Sequence, residues 1–193
     1  LYRTGASSKL TGAGSAYVGP FASITGQLTG YFTNSYEGQE LTCKYSRELT
    51  RQQNTMTVSV TIDGIWDDCY KAINVANGAI KYIEISMDQS LANRLIGEAK
   101  FFRAWNYFNL VKIFGGVPLT VEPYESMENM YLERASVEQV YAQVESDLKD
   151  AVNALPAATF YNNSNRITKY AAAMVLTSVY MQQGKYADAA SAV

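Results

Sequence analysis

From residue 63 onward, apolar side chains recur every three or four positions, and capping residues, glycines and prolines punctuate the runs. That period gives each segment a stripe to bury against a neighbour, and it is not the alternation that builds a sheet. The expected class is therefore all-α.

The boundaries are readable in the same residues. Asp63 is placed to cap a helix carrying Ile65, Trp66, Cys69, Ile73, Ala76, Ile80 and Ile83. Asp88 is placed to cap the next, from Gln89 to Phe114, whose apolar residues cover more than one stripe and predict burial on most sides. Gly115-Gly116 ends it, Val117-Pro118-Leu119 leaves extended, and residues 120–135 read as an acidic loop. Ser136-Val137-Glu138-Gln139 is a capping box for a helix that Pro156 stops. Thr168 is expected to cap a helix through Gln183, Gly184 to end it, and Tyr186 to begin another. Residues 5–32 hint at a loose, glycine-weakened helix, and residues 33–62 read as a long polar loop in which Met56, Val58, Val60 and Ile62 alternate like a short extended stretch. This divides the chain into 1–62 (helix plus long loop), 63–119 (helical hairpin) and 136–193. In the last part, Gly184 makes the turn while Tyr186, Ala189 and Val193 face back onto the preceding helix, which is tetratricopeptide-like grammar.

Composition narrows the chemistry. Sixteen Lys and Arg against 18 Asp and Glu give a net charge of −2, which does not supply the broad basic surface of a nucleic-acid binder. There is no histidine, so Ser/His/Asp and Cys/His nucleophile systems and histidine-ligated metals are excluded. Cys43 and Cys69 are too few for an all-cysteine metal site; a disulfide between them is neither required nor excluded. No apolar run reaches the roughly 18 residues of a membrane-spanning helix. Asp67-Asp68 and the Glu122, Glu125, Glu128 loop read as solvated acidic surface rather than a glycosidase pair. No catalytic residue, metal or cofactor is expected. Arg94 and Glu98 are an i, i+4 pair on one helix, and Glu98 with Arg103 is expected to clamp neighbouring helices, a structural role in both cases.

Three stretches read together resemble the SusD/RagB family of outer-membrane nutrient-binding lipoproteins. They are Trp66-x-x-x-Tyr70-x-x-Ile73-x-x-Ala76-Asn77, then Gly97-Glu98-Ala99-Lys100-Phe101-Phe102-Arg103-Ala104-Trp105 through Phe114-Gly115-Gly116-Val117-Pro118-Leu119, and a third from Arg134 through Asp147-Leu148 and Leu155-Pro156 to Gly184-Lys185-Tyr186. The resemblance covers roughly residues 60–193; residues 1–59 match only in general character. Family members are much longer and begin at a lipidated cysteine; Cys43, after Glu40-Leu41-Thr42, does not fit that role. The chain is thus read as the N-terminal, repeat-bearing part of a longer protein.

The resemblance implies binding rather than catalysis: a surface-exposed lipoprotein of the outer membrane in Bacteroidetes, anchored through a lipid absent here. It would cap a SusC-like TonB-dependent transporter and hand it oligosaccharides or other nutrients. Loop aromatics would stack on sugar faces while amides, carboxylates and arginine bind hydroxyls. The candidate ligand residues are Tyr31, Asn34, Tyr36, Tyr45, Arg47 and Asn54 in the long loop, with Trp66 one turn beyond it. Phe101, Phe102, Trp105 and Phe108 are at core spacing. The alternative reading is a helical-repeat scaffold that docks a protein and binds no sugar. An exposed apolar patch is expected around Val175, Val179 and Met181 or at the C-terminus, and the sugar affinity of this chain alone is expected to be weak or absent.

Overall fold

The computed structural model describes Glu48, Arg51 and residues 56–83, 88–125, 132–158 and 166–192. Five helices lie among them: α1 Met56–Ile83, α2 Gln89–Phe114, α3 Val137–Ala154, α4 Lys169–Gln182 and α5 Tyr186–Ser191. No strand occurs among the described residues; a single antiparallel bridge joins Pro118 to Arg134. The all-α expectation holds.

The start of α1 is a correction. The helix begins at Met56, seven residues before the expected cap at Asp63, and takes in the stretch read as extended. The alternating residues Met56, Val58, Val60 and Ile62 also contain i, i+4 pairs, so they satisfy a helical stripe equally well. Extending an existing helix adds a hydrogen bond per residue, which outweighs the few tenths of a kcal/mol that β-branched residues cost it. Glu48 is helical too, inside the segment read as loop.

The chain forms two compact units, Tyr2–Lys71 and Ala72–Val193. In the first, α1 buries Ile65 and Cys69. Cys69 is a free thiol, and burial pushes its pKa up to about 12, with neighbouring Asp68 adding to the shift. Native protein is therefore expected to leave Cys69 unlabelled by a thiol reagent at pH 8, with rapid labelling in urea, as read by peptide mass spectrometry. The raised pKa also means that the thiol's contribution to stability is full below its ordinary range and is lost as pH climbs from about 9 toward 12.

In the second unit, consecutive helices pack in order: α2 on α3, α3 on α4, α4 on α5. Asp88 caps α2 by accepting from the Ser90 and Leu91 amides at 2.9 and 3.1 Å. The capping box of α3 is present, with Ser136 and Gln139 bonded reciprocally. Thr168 occupies the cap position of α4 without a side-chain bond, contrary to expectation. Leu110 on α2 and Val140, Val144 and Leu148 on α3 are fully buried, each contributing about 1.5–3 kcal/mol by leaving water. Closest approach needs Gly97: a Cβ there would lie 2.8 Å from the Ala154 Cβ. Phe101 and Phe108 are core, as expected, while Phe102 and Trp105 are half-buried. Gly184, at φ 73°, turns the chain from α4 into α5.

The expected exposed patch is also corrected. Val175 and Val179 are buried, whereas Met181 is exposed as expected and shares the open face of α4 with Tyr170 and Met174. Of the residues expected to face α4, Ala189 is buried, Tyr186 is exposed, and Val193 lies outside the described residues; Ala189 is the buried residue of the six-residue α5.

Candidate functional site

Of the seven candidate ligand residues, Tyr31, Asn34, Tyr36, Tyr45, Arg47 and Asn54 lie outside the described residues. Trp66 is half-buried and packs on Tyr70, ring centroids 4.9 Å apart. Because α1 starts at Met56, Trp66 sits almost three turns inside the helix at about 3.6 residues per turn, not one turn from a loop.

The most constrained surface element in the Ala72–Val193 unit is the segment 120–125, a strap running across buried polar groups. Arg103 on α2 is buried and donates through Nε and Nη2 to the two carboxylate oxygens of Asp147 on α3, both at 2.7 Å. Its Nη1 donates to the Asn77 Oδ1 on α1 at 2.9 Å and to the Val121 carbonyl at 3.1 Å. Asn77 Nδ2 then donates to the Thr120 and Glu122 carbonyls at 3.1 and 3.0 Å. The Tyr107 hydroxyl accepts from the Thr120 amide at 2.7 Å and donates to the Thr120 carbonyl at 3.0 Å. Burial raises the Tyr107 pKa well above the ordinary phenol value, with the Thr120 bond opposing, so the group stays a neutral donor.

Side chains from α1 and α2 thus satisfy a stretch of chain that belongs to neither a helix nor a sheet. This corrects the expected clamp. Arg103 does not serve Glu98; it binds Asp147, and buried Glu98 accepts from Arg166 Nε at 2.8 Å and from its Nη2. Asp147 ties α3 to α2 through Arg103, 44 residues away, and Glu98 ties α2 to the segment that precedes α4 through Arg166, 68 residues away.

Above this base the strap meets the exposed face of α1. Glu125 accepts from Lys81 Nζ at 2.7 Å and from the Tyr82 hydroxyl. Lys81 first, and then Tyr82, hold the Glu125 carboxyl below its usual range, so it remains an ionised acceptor. The Tyr124 amide donates to Asn74 Oδ1 at 2.9 Å. The sequence gives little warning of this cluster. Its best signal is Tyr124 between Glu122 and Glu125 in a loop, and the acidic surroundings read as plain solvated surface.

Two open grooves flank α3. One, about 330 Å³, is lined by Asn93, Ile96, Gly97, Lys100, Asp150 and Asn153. The other, about 460 Å³, is lined by Val137, Tyr141, Glu145, Gln183 and Lys185 among others. In the second, Glu145 accepts from Gln183 and Lys185 at 2.9 and 2.5 Å and so ties α3 to the turn before α5. No helix among the described residues is long and apolar enough to cross a membrane.

Residues 8–181 match the profile of a SusD-like family described as "Starch-binding associating with outer membrane". The chain belongs to the SusD-like family. A SusD-like protein, P2, of Formosa agariphila is 26% identical over 187 residues, covering 88% of this chain and 37% of its own length. A crystal structure of a SusD-like protein from Bacteroides fragilis is 32% identical with a TM-score of 0.63, over 67% of this chain and 26% of that one. A laminarin-binding SusD-like protein of known structure is 26% identical with a TM-score of 0.72, over 92% of this chain and 41% of that one. The chain therefore spans well under half the length of these SusD-like relatives. The buried Arg103 and Asp147 lie within the residues matched to the SusD-like profile, in the second and third stretches that carried the resemblance.

Proposed function

We propose that this chain is part of a non-catalytic, surface-exposed glycan-binding protein that works with a SusC-like TonB-dependent transporter at the outer membrane in oligosaccharide uptake. The observation that carries this reading is the SusD-like match over residues 8–181, whose description joins starch binding to the outer membrane. The relative that binds laminarin supports a neutral glucan as ligand. The polar chemistry fits binding better than turnover. Asp147, Glu98 and Glu125 are each engaged by a cation, which suits positioning rather than proton transfer. The ligand residues in the long loop, Tyr31, Asn34, Tyr36, Tyr45, Arg47 and Asn54, remain part of the proposal, as does Trp66.

Native electrophoresis of the longer protein that contains this chain, through gels containing starch or laminarin, tests it. Retarded migration in at least one gel is expected. Unchanged mobility in both gels, and in gels of other neutral polysaccharides, would contradict it.

A second reading, docking of a protein partner by the helical repeats, is favoured by the exposed stripe of Tyr170, Met174 and Met181 on α4 and by exposed Tyr186 on α5. Replacing Met174 and Met181 with lysine would then abolish co-purification of a partner while leaving polysaccharide retardation unchanged.

A further inference from the structure

We propose that Tyr82, at the end of α1, and Tyr124, in the 120–125 strap, form with Glu125 and Asn74 a carbohydrate-binding site for a neutral pyranose, built from none of the long-loop candidates. This rests on the glycan-binding reading and places a site within the Ala72–Val193 unit.

Both rings are open to solvent, Tyr82 at 51% and Tyr124 at 39% exposure. They are neighbours through Glu125, which follows Tyr124 in the chain and accepts from the Tyr82 hydroxyl. One turn before Tyr82 stands Gly78, and nothing lies within 4 Å of where its Cβ would be. Lys81 Nζ lies over one face of the Tyr82 ring, 5.7 Å from its centroid, and this exposed lysine is the group that a sugar stacking on that face would displace. A pyranose presents an apolar face of C–H groups and a rim of hydroxyls. Tyrosine faces suit the first and an acceptor–donor set suits the second. Glu125 keeps an acceptor lone pair on each oxygen beyond those used by Lys81 and Tyr82. Asn74 accepts from the Tyr124 amide through Oδ1, which leaves its Nδ2 protons to donate outward.

The site is also preorganised. The strap is already held from beneath by Asn77, Arg103 and Tyr107, so Tyr82 and Glu125 are not needed to position it. The Lys81–Glu125 pair is exposed, and such pairs stabilise little, so sugar hydroxyls can replace its contacts at small cost. Binding therefore orders few groups that are not ordered beforehand.

The test is a two-dimensional NMR titration of the chain with maltoheptaose and, separately, laminarihexaose. The amides of Tyr82, Tyr124 and Glu125 are expected to shift in a saturable manner. A double substitution, Tyr82→Ala with Tyr124→Ala, should weaken binding at least about tenfold, whereas Tyr82→Phe, which keeps the ring but removes the hydroxyl bonded to Glu125, should weaken it by a smaller factor. Gly78→Leu serves as an independent variant: it improves helix propensity, removes neither ring, and should weaken binding by filling the open surface. Glycan binding that shifts other amides only, or that survives the double substitution and Gly78→Leu alike, would overturn the site while leaving the glycan-binding reading intact. No binding of either oligosaccharide, where the longer protein's gels also show no polysaccharide retardation, would overturn both.

Discussion

An Asp147→Ala chain should lose about 3–5 kcal/mol of unfolding free energy, because a buried guanidinium left without its carboxylate is an uncompensated charge. Asp147 is 2% exposed and Arg103 5%, and the two share paired 2.7 Å bonds, so neither can turn to water without dismantling the α2–α3 packing. Against the roughly 5–15 kcal/mol of an ordinary domain, that is enough to leave the variant marginal at 37 °C. Urea denaturation measures it. The double variant Arg103→Met with Asp147→Leu should be less destabilised than Asp147→Ala alone, because it removes the desolvated charge along with its partner. It should still fall short of the parent, since the Asn77 and Val121 contacts are lost with Arg103. Losses from Arg103→Met and from Asp147→Leu alone that sum to the loss of the double variant would show that the pair is not coupled.

The second large effect is expected at Gly116. A Cβ there would stand 2.3 Å from the Ala135 carbonyl oxygen. The obstacle is backbone, so no side-chain rotation relieves it. Ala135 cannot retreat easily: its amide donates to the Val117 carbonyl at 3.1 Å, and the next residue is the Ser136 cap of α3. Arg134 adds to the lock by donating through Nη1 to the Phe114 and Gly116 carbonyls at 3.2 and 2.8 Å. Gly116→Ala should therefore cost about 3 kcal/mol, the upper part of the usual range for overpacking. Gly78→Ala is the internal contrast: its Cβ would meet nothing within 4 Å, and the helix should gain about 0.5–1 kcal/mol. Thermal melts of the two variants in parallel test the pair of signs.

How much of this was legible beforehand depends on the range of the interaction. Local rules carried the helix ends well. Asp88 caps α2, Ser136 and Gln139 box α3, and Gly184 turns out of α4, because each involves groups within a few residues of one another. Met56–Ile62 failed the same local reading because an every-second-residue pattern contains the i, i+4 contacts of a helix as well as the faces of a strand. The candidate site was legible in neither way. Arg103 was visible as a residue of a motif, but its partners Asn77, Val121 and Asp147 lie 18 to 44 residues away, and no periodicity announces them. Tyr82 and Tyr124 were hidden for a related reason. One closes a helix and the other sits among glutamates, and only the strap's path across Asn77 and Tyr107 brings them together.

The central structural claim is that this strap, although neither helix nor sheet, is held as firmly as the helices beneath it because buried polar side chains satisfy its backbone. Hydrogen–deuterium exchange of the Thr120 amide, which donates to the Tyr107 hydroxyl, measures that directly. Thr120 is expected to exchange as slowly as the core amides of α2 in the parent, and faster than them in Asp147→Ala. Exchange of Thr120 in the parent chain at the rate of an unprotected loop would contradict it.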